Sequence, residues 1–138
     1  MTHPAVTAPP ARPVPGAAPR SAAGRALWAL AGVALLVVAI ALDGWTWTVL
    51  AVAIAPDLPL LAGFGRDLAP GQLHPRAVPW YNAVHALPGP ATLAVAGALV
   101  AATGHGTTPL VVGLVWAAHV SVDRACGFGL RTAQGLQR

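Results

Sequence analysis

Four runs of apolar residues, separated by polar or proline-bearing connections, organise the chain beyond residue 25. The first, 26–43, reads ALWALAGVALLVVAIAL before it reaches its first charge at Asp43. The second, 45–64, is apolar except for APDLP near its far end, and the third and fourth occupy 79–103 and 108–123. A helix that crosses a bilayer needs ~20 mostly apolar residues, with a range of roughly 17–25. All four runs therefore predict membrane-spanning helices, with flanking glycines, threonines and tryptophans completing the slightly short first and fourth. Pro88 and Pro90 fall just after the polar start of the third run, which predicts a kink or break there. Backbone groups freed inside a membrane must then be met by neighbouring side chains or a wet cavity. Ala94, Ala98 and Ala102 form a small-residue stripe at four-residue spacing, of the kind that lets helix backbones approach closely.

The predicted fold is thus all-α, an integral membrane four-helix bundle over 25–131. Segment 1–24 holds six prolines and almost no large apolar side chains. It cannot bury enough surface to offset its ordering entropy and is expected to be disordered. Its long proline-rich lead does not suit a signal peptide. Residues 132–138 form a short C-terminal tail.

Composition supports the membrane. Of 138 residues, 56% are hydrophobic and only 9% charged, whereas a soluble domain carries about a quarter charged residues. A soluble bundle with buried helices is the alternative, and the connections offer too little polar surface for it. All eight cationic side chains are arginine, and they stand singly at the ends of segments rather than in a basic run. That excludes nucleic acid as the expected partner and leaves membrane lipids, with a homo-oligomer open. Arg12, Arg20 and Arg25 precede the first run, Arg66 and Arg76 lie between the second and third, and Arg124, Arg131 and Arg138 follow from the end of the fourth. The other two connections, DGWTWT and TGHGTT, have none. By the positive-inside rule both termini are cytoplasmic. Trp45 and Trp47 would then mark the outer interface, and Trp80 and Tyr81 the inner one.

This topology gathers the ionisable residues. Asp57 near the end of the second helix, Asn82 and His85 at the start of the third, and His119 and Asp123 at the end of the fourth share a layer ~10 Å deep at the cytoplasmic face. Asn82 and His85 are three apart and His119 and Asp123 four apart, so each pair shares a helix face, with Tyr81 one turn before His85. Two imidazoles and two carboxylates meeting at one point suit zinc, manganese or iron. Each residue alone also has a structural reading: Asp57 bonding N–H groups freed by Pro56, a histidine tying two helices, Arg124 snorkelling to water beside Asp123. His3, His74 and His105 fall in loops or the tail. Asp67 offsets Arg66. Cys126 is alone, so neither an intrachain disulfide nor a CxxC site is available. Gly127 and Gly129 suit a helix cap and turn.

The blocks APDLPLLAGFG (55–65), YNAVH (81–85) followed by Pro88, and WAAHVSVDRACGFGLR (116–131) resemble those of a bacterial family of small integral membrane proteins, domain of unknown function 4260, over about residues 26–131. The resemblance implies the same four-helix architecture and no reaction. Its recurrent polar positions fall on Asp57, Tyr81, Asn82, His85, His119, Asp123 and Arg124. Phe128 stands where a tyrosine is usual and Arg131 where a lysine is usual, and TAQGLQR replaces the family's threonine-histidine-leucine-glycine ending. The order Pro-Asp, His, His-x-x-x-Asp is also similar to that of membrane-bound metal-dependent hydrolases of the LexA-regulated inner-membrane type. Three functions follow as expectations. One is a metal-dependent hydrolase of a lipid or amphiphile, with Asp57, His85, His119 and Asp123 holding a divalent metal such as zinc, and Tyr81, Asn82 and Arg124 in support. The second is a non-enzymatic scaffold whose polar cluster fixes packing. The third is a proton relay through His85 and His119, ranked last because the outer half lacks polar groups.

Overall fold

The structure, a computed structural model, describes residues 21–65 and 67–138. The expected disorder of 1–20 and the placing of Arg12, Arg20 and Arg66 lie outside the described residues. The described residues form four helical rods. Helix α1 runs Ala22–Asp43, starting earlier than the apolar run because Ser21 caps it, its Oγ accepting from the Gly24 N–H at 3.1 Å. The second rod joins α2 (Trp47–Ile54), a 3-10 turn (Ala55–Asp57) and α3 (Leu58–Leu61). The third joins α4 (Val78–Val84) to α5 (Pro88–Ala102), and the fourth is α6 (Thr108–Cys126). Three rods, Ala22–Asp43, Val78–Ala102 and Thr108–Cys126, are long and apolar enough to cross a membrane, while Trp47–Leu61 is shorter.

α6 is the central element, packed against α1, α5 and α2. Its buried residues Val111 and Val115 meet Ala39 of α1 and Val49 of α2 in one apolar cluster. The outward faces of the other rods remain apolar, with Leu27, Leu30, Val95 and Leu99 all exposed, as helices facing lipid require. The α5–α6 contact is tighter than a leucine seam because glycine faces backbone on both sides: Gly97 lies on Pro109–Leu110 and Gly113 on Leu93–Ala94. The seam therefore follows Pro90, Ala94 and Gly97. Ala98 and Ala102 of the alanine stripe are exposed, since a four-residue repeat drifts off a face that turns every 3.6 residues.

The two broken rods show how proline shapes the protein. Pro88 has no N–H for the Val84 carbonyl four residues back, so α4 stops and His85 becomes its C-terminal cap. In the second rod Pro56 tightens the helix into the 3-10 turn, where the Leu58 N–H bonds the Ala55 carbonyl. At the far end of α6, Gly127 takes a left-handed φ of 92° and ends the helix, with the Phe128 N–H reaching the Asp123 carbonyl at 2.8 Å.

The last residues fold back over the 63–77 connection. The Leu73 N–H bonds the Gly135 carbonyl at 3.0 Å, and the Gln72 side chain bonds the Gln134 carbonyl at 2.7 Å. Beneath them Leu73, Ala77, Val78 and Tyr81 form a second apolar cluster.

Candidate metal centre

His85, Asp57, His119 and Asp123 converge from three rods. Each offers one ligand atom, and the four atoms lie within 4.8 Å of one another. His85 Nε2 is 3.2 Å from Asp123 Oδ2 and 3.4 Å from Asp57 Oδ1. His119 Nε2 is 3.7 Å from the same Asp57 oxygen, 3.8 Å from the same Asp123 oxygen, and 3.4 Å from His85 Nε2. The i, i+4 spacing on α6 brings His119 beside Asp123, whereas Asp57 and His85 arrive through the two proline-made breaks. Asp57 does not cap the turn that follows it; its carboxylate faces the histidines instead.

Backbone carbonyls set the histidine tautomers. His85 Nδ1 is 2.9 Å from the Tyr81 carbonyl, and His119 Nδ1 is 2.8 Å from the Ala53 carbonyl. A carbonyl can only accept, so each Nδ1 carries the proton and donates. Both Nε2 atoms of the neutral rings are then lone pairs turned toward the carboxylates, and the 3.4 Å between them is no hydrogen bond. Four acceptors facing one another repel unless a cation or added protons lie among them. Two protonated imidazoles at that separation would repel each other as well, whereas one divalent ion satisfies all four donors. Zinc bonds of about 2.0–2.1 Å put tetrahedral ligand atoms roughly 3.3–3.4 Å apart. Five of the six separations run from 3.2 to 3.8 Å and the whole set lies within 4.8 Å, so it is somewhat wider than a tetrahedral zinc site and would draw in slightly around an ion.

Further groups hold this arrangement. Tyr81 is buried rather than at an interface, and its ring stacks on His85 with centroids 3.9 Å apart and planes 17° from parallel. Arg124 does not snorkel. It is 5% exposed and donates to the Phe128 carbonyl at 2.8 Å and to the His85 carbonyl at 2.9 Å. Asn82 points away from the cluster and clasps the C-terminal segment, donating to the Arg131 carbonyl at 2.9 Å and accepting from its N–H at 2.8 Å. Trp116 was not among the expected residues. Its Nε1–H bonds the Val84 carbonyl at 2.6 Å, the group that Pro88 leaves without a helical donor. An indole one turn before His119, facing a proline break, was the available signal. Trp116→Phe keeps an aromatic ring, though a smaller one, and removes this bond, which alone should cost about 1–3 kcal/mol. Thermal unfolding in detergent measures it; an unchanged melting temperature would mean that water takes over the carbonyl.

Side-chain exposure shows where the site opens. His85 is fully buried, His119 and Asp123 are 10% and 18% exposed, and Asp57 is 45% exposed. Solvent or a ligand therefore reaches the cluster from the side of Asp57. Leu58 beside it lines an apolar groove of about 540 Å³ with Pro59, Ala62, Ala77, Trp80 and Arg76.

An all-α protein with apolar spanning helices and a two-histidine, two-aspartate cluster where three of its rods meet is the class defined by fold and site. The sequence profile described as Domain of unknown function (DUF4260) matches residues 26–138, and the chain belongs to that family. The match reaches past Arg131 to the last residue, taking in the segment that folds back over the 63–77 connection. No curated protein and no solved structure matches the chain.

Proposed function

We propose that this protein is a membrane-embedded, divalent-metal-dependent hydrolase acting on a lipid or other amphiphile. The observation that carries the reading is the pair of Nδ1–H···carbonyl bonds, which turn both Nε2 lone pairs onto the two carboxylates. His85, His119 and Asp123 hold the ion from the buried side and Asp57 completes the set on the open side. Zinc is the first candidate, with manganese or iron fitting the same nitrogen and oxygen donors. Such an ion lowers the pKa of a bound water, making a nucleophile at neutral pH. With four protein ligands the water would take a fifth position at the ion, on the open side beside Asp57. The apolar groove that begins at Leu58 suits the hydrocarbon part of the substrate, and the guanidinium of Arg76 within it suits an anionic head.

The arginine distribution supports both termini lying in the cytoplasm, with the cluster at the inner leaflet, and the resemblance to small bacterial membrane proteins supports a bacterial cytoplasmic membrane. The scaffold reading draws on one observation, that the four donors come from three rods, so any cation there also ties them together.

The deciding experiment measures the metal content of detergent-purified protein beside His119→Ala and Asp123→Ala. Near-stoichiometric metal in the wild type, lost in both variants while they stay folded, is the expected result, followed by hydrolysis of fluorogenic lipid esters that both variants lack. No bound metal after supplementation, with both variants less thermostable, would make the cluster a packing device and end the enzyme reading.

A further inference from the structure

Arg131 stands outside the cluster and is buried without a counter-charge. It is 8% exposed, and no carboxylate of the described residues lies within ion-pair distance of it. One terminal nitrogen donates to the Gly71 carbonyl at 2.7 Å. Its Nε–H has no hydrogen-bond partner, and no other buried side-chain nitrogen or oxygen of the described residues shares that condition. A guanidinium stays charged at any physiological pH, so burying it unpaired is costly and an acceptor for it is missing.

The space for one lies beside it. Arg131 helps to line a pocket of about 350 Å³, walled by Leu60, Gly63, Phe64, Leu68 and Gln72 among others. Its walls are mostly apolar, with Gln72 and Arg131 as the polar side chains. The Arg131 guanidinium also lies 5.4 Å from the centroid of the Tyr81 ring, and that ring stacks on His85. Tyr81 is thus a neighbour of both the cation and a candidate ligand. The backbone of Arg131 is clamped by Asn82, so the charge is held at that spot rather than carried on a loose tail.

We propose that this pocket binds an oxyanion group, a phosphate or carboxylate, with Arg131 as the charge that receives it. It rests on the hydrolase reading only in treating the bound group as the head of the substrate; the anion site itself does not require the metal. An oxyanion offers planar or tetrahedral acceptors to the guanidinium of Arg131, which lines the pocket, while the apolar walls tolerate an attached hydrocarbon. The ligand is free phosphate or the head of an anionic lipid, two sources with one chemistry.

The test follows the melting temperature of the full chain in a non-ionic detergent. Inorganic phosphate and, separately, dihexanoyl phosphatidic acid are titrated, with dihexanoyl phosphatidylcholine as the zwitterionic control. The wild type should show a saturable rise with at least one anion and none with the control. Arg131→Gln should weaken the midpoint about tenfold or more, the loss expected of a charged hydrogen bond. Leu68→Trp fills the pocket and leaves the Arg131 bond to Gly71 untouched, so it should abolish the rise even if Arg131→Gln proves unstable. His119→Ala should keep it. Saturation at equal concentrations of the two anions identifies free phosphate, and saturation at much lower phosphatidic acid identifies a lipid head. No saturable rise in folded wild type overturns the proposal. So does a rise that persists in Leu68→Trp and disappears in His119→Ala, which would put the anion on the metal centre. Loss of the metal reading alone would leave the wild-type rise in place.

Discussion

Arg124→Met is expected to destabilise the protein by about 1–3 kcal/mol for each of the two carbonyls that lose a donor. The substitution nearly preserves volume, so little of the loss is cavity. Two carbonyls, those of Phe128 and His85, lose charged donors at 2.8 and 2.9 Å. Both lie where helices end and no backbone N–H is in place to substitute. The His85 carbonyl sits in the break between α4 and α5, so the turn should loosen and carry the imbedded imidazole away from Asp57 and Asp123. Metal occupancy should therefore fall together with the melting temperature. Arg124→Lys has one ammonium where the guanidinium spans two carbonyls and should fall between the two. Unfolding in detergent and metal content measure both effects. A methionine variant that melts and binds metal like the wild type would show that water or lipid heads satisfy these carbonyls, and that Arg124 has no part in placing His85.

The same residue shows where reading the sequence stops. Its position next to Asp123 at the end of an apolar run fits an interfacial arginine reaching for water, and nothing in the local pattern says that it turns inward. The reason lies 39 residues earlier in the chain, where the break between α4 and α5 leaves the His85 carbonyl for α6 to serve. Long-range debts of this kind are invisible to periodicity. The four apolar runs, the break at the prolines, the Gly127 cap and the gathering of Asp57, His85, His119 and Asp123 were legible, because each depends on spacing or on depth along a helix. Asn82 was not: three residues from His85 puts it on the same face of an unbroken helix, but the helix ends between them. Its amide is thereby freed to hold the C-terminal segment. Tyr81 was read both as an interface aromatic and as a neighbour of His85; it stacks on His85 and is buried, and the loop and tail that cover it leave no regular signal. Arg131 belongs to the same group, placed by a fold-back of the chain that no apolar pattern records.

The α5–α6 seam gives the second large effect, and here the sequence and the structure point to different residues. A Cβ added at Gly113 would fall 2.7 Å from the Ala94 Cα and closer still to its nitrogen, and one added at Gly97 would fall 2.6 Å from the Pro109 carbonyl carbon. The obstructing atoms are backbone on both sides, so no side chain can swing away and the helices themselves must separate. Gly113→Ala should therefore cost about 2–3 kcal/mol, the upper part of the usual range for overpacking. In a membrane this contact has no hydrophobic drive between helices to restore it, only close packing. The damage should also travel. Trp116 follows Gly113 by less than one turn on α6, and its 2.6 Å bond to the Val84 carbonyl ties α6 to the break that positions His85. Pushing α5 off α6 strains that bond, so Gly113→Ala should lose metal as well as stability although it touches no ligand. Ala98→Leu is the control. Ala98 belongs to the alanine stripe but is exposed, and a larger apolar side chain facing lipid should change stability by no more than about 0.5 kcal/mol. Detergent melting curves of the two variants decide between the seams: a damaging Ala98→Leu beside a harmless Gly113→Ala would return the interface to the alanine stripe and overturn the packing described above.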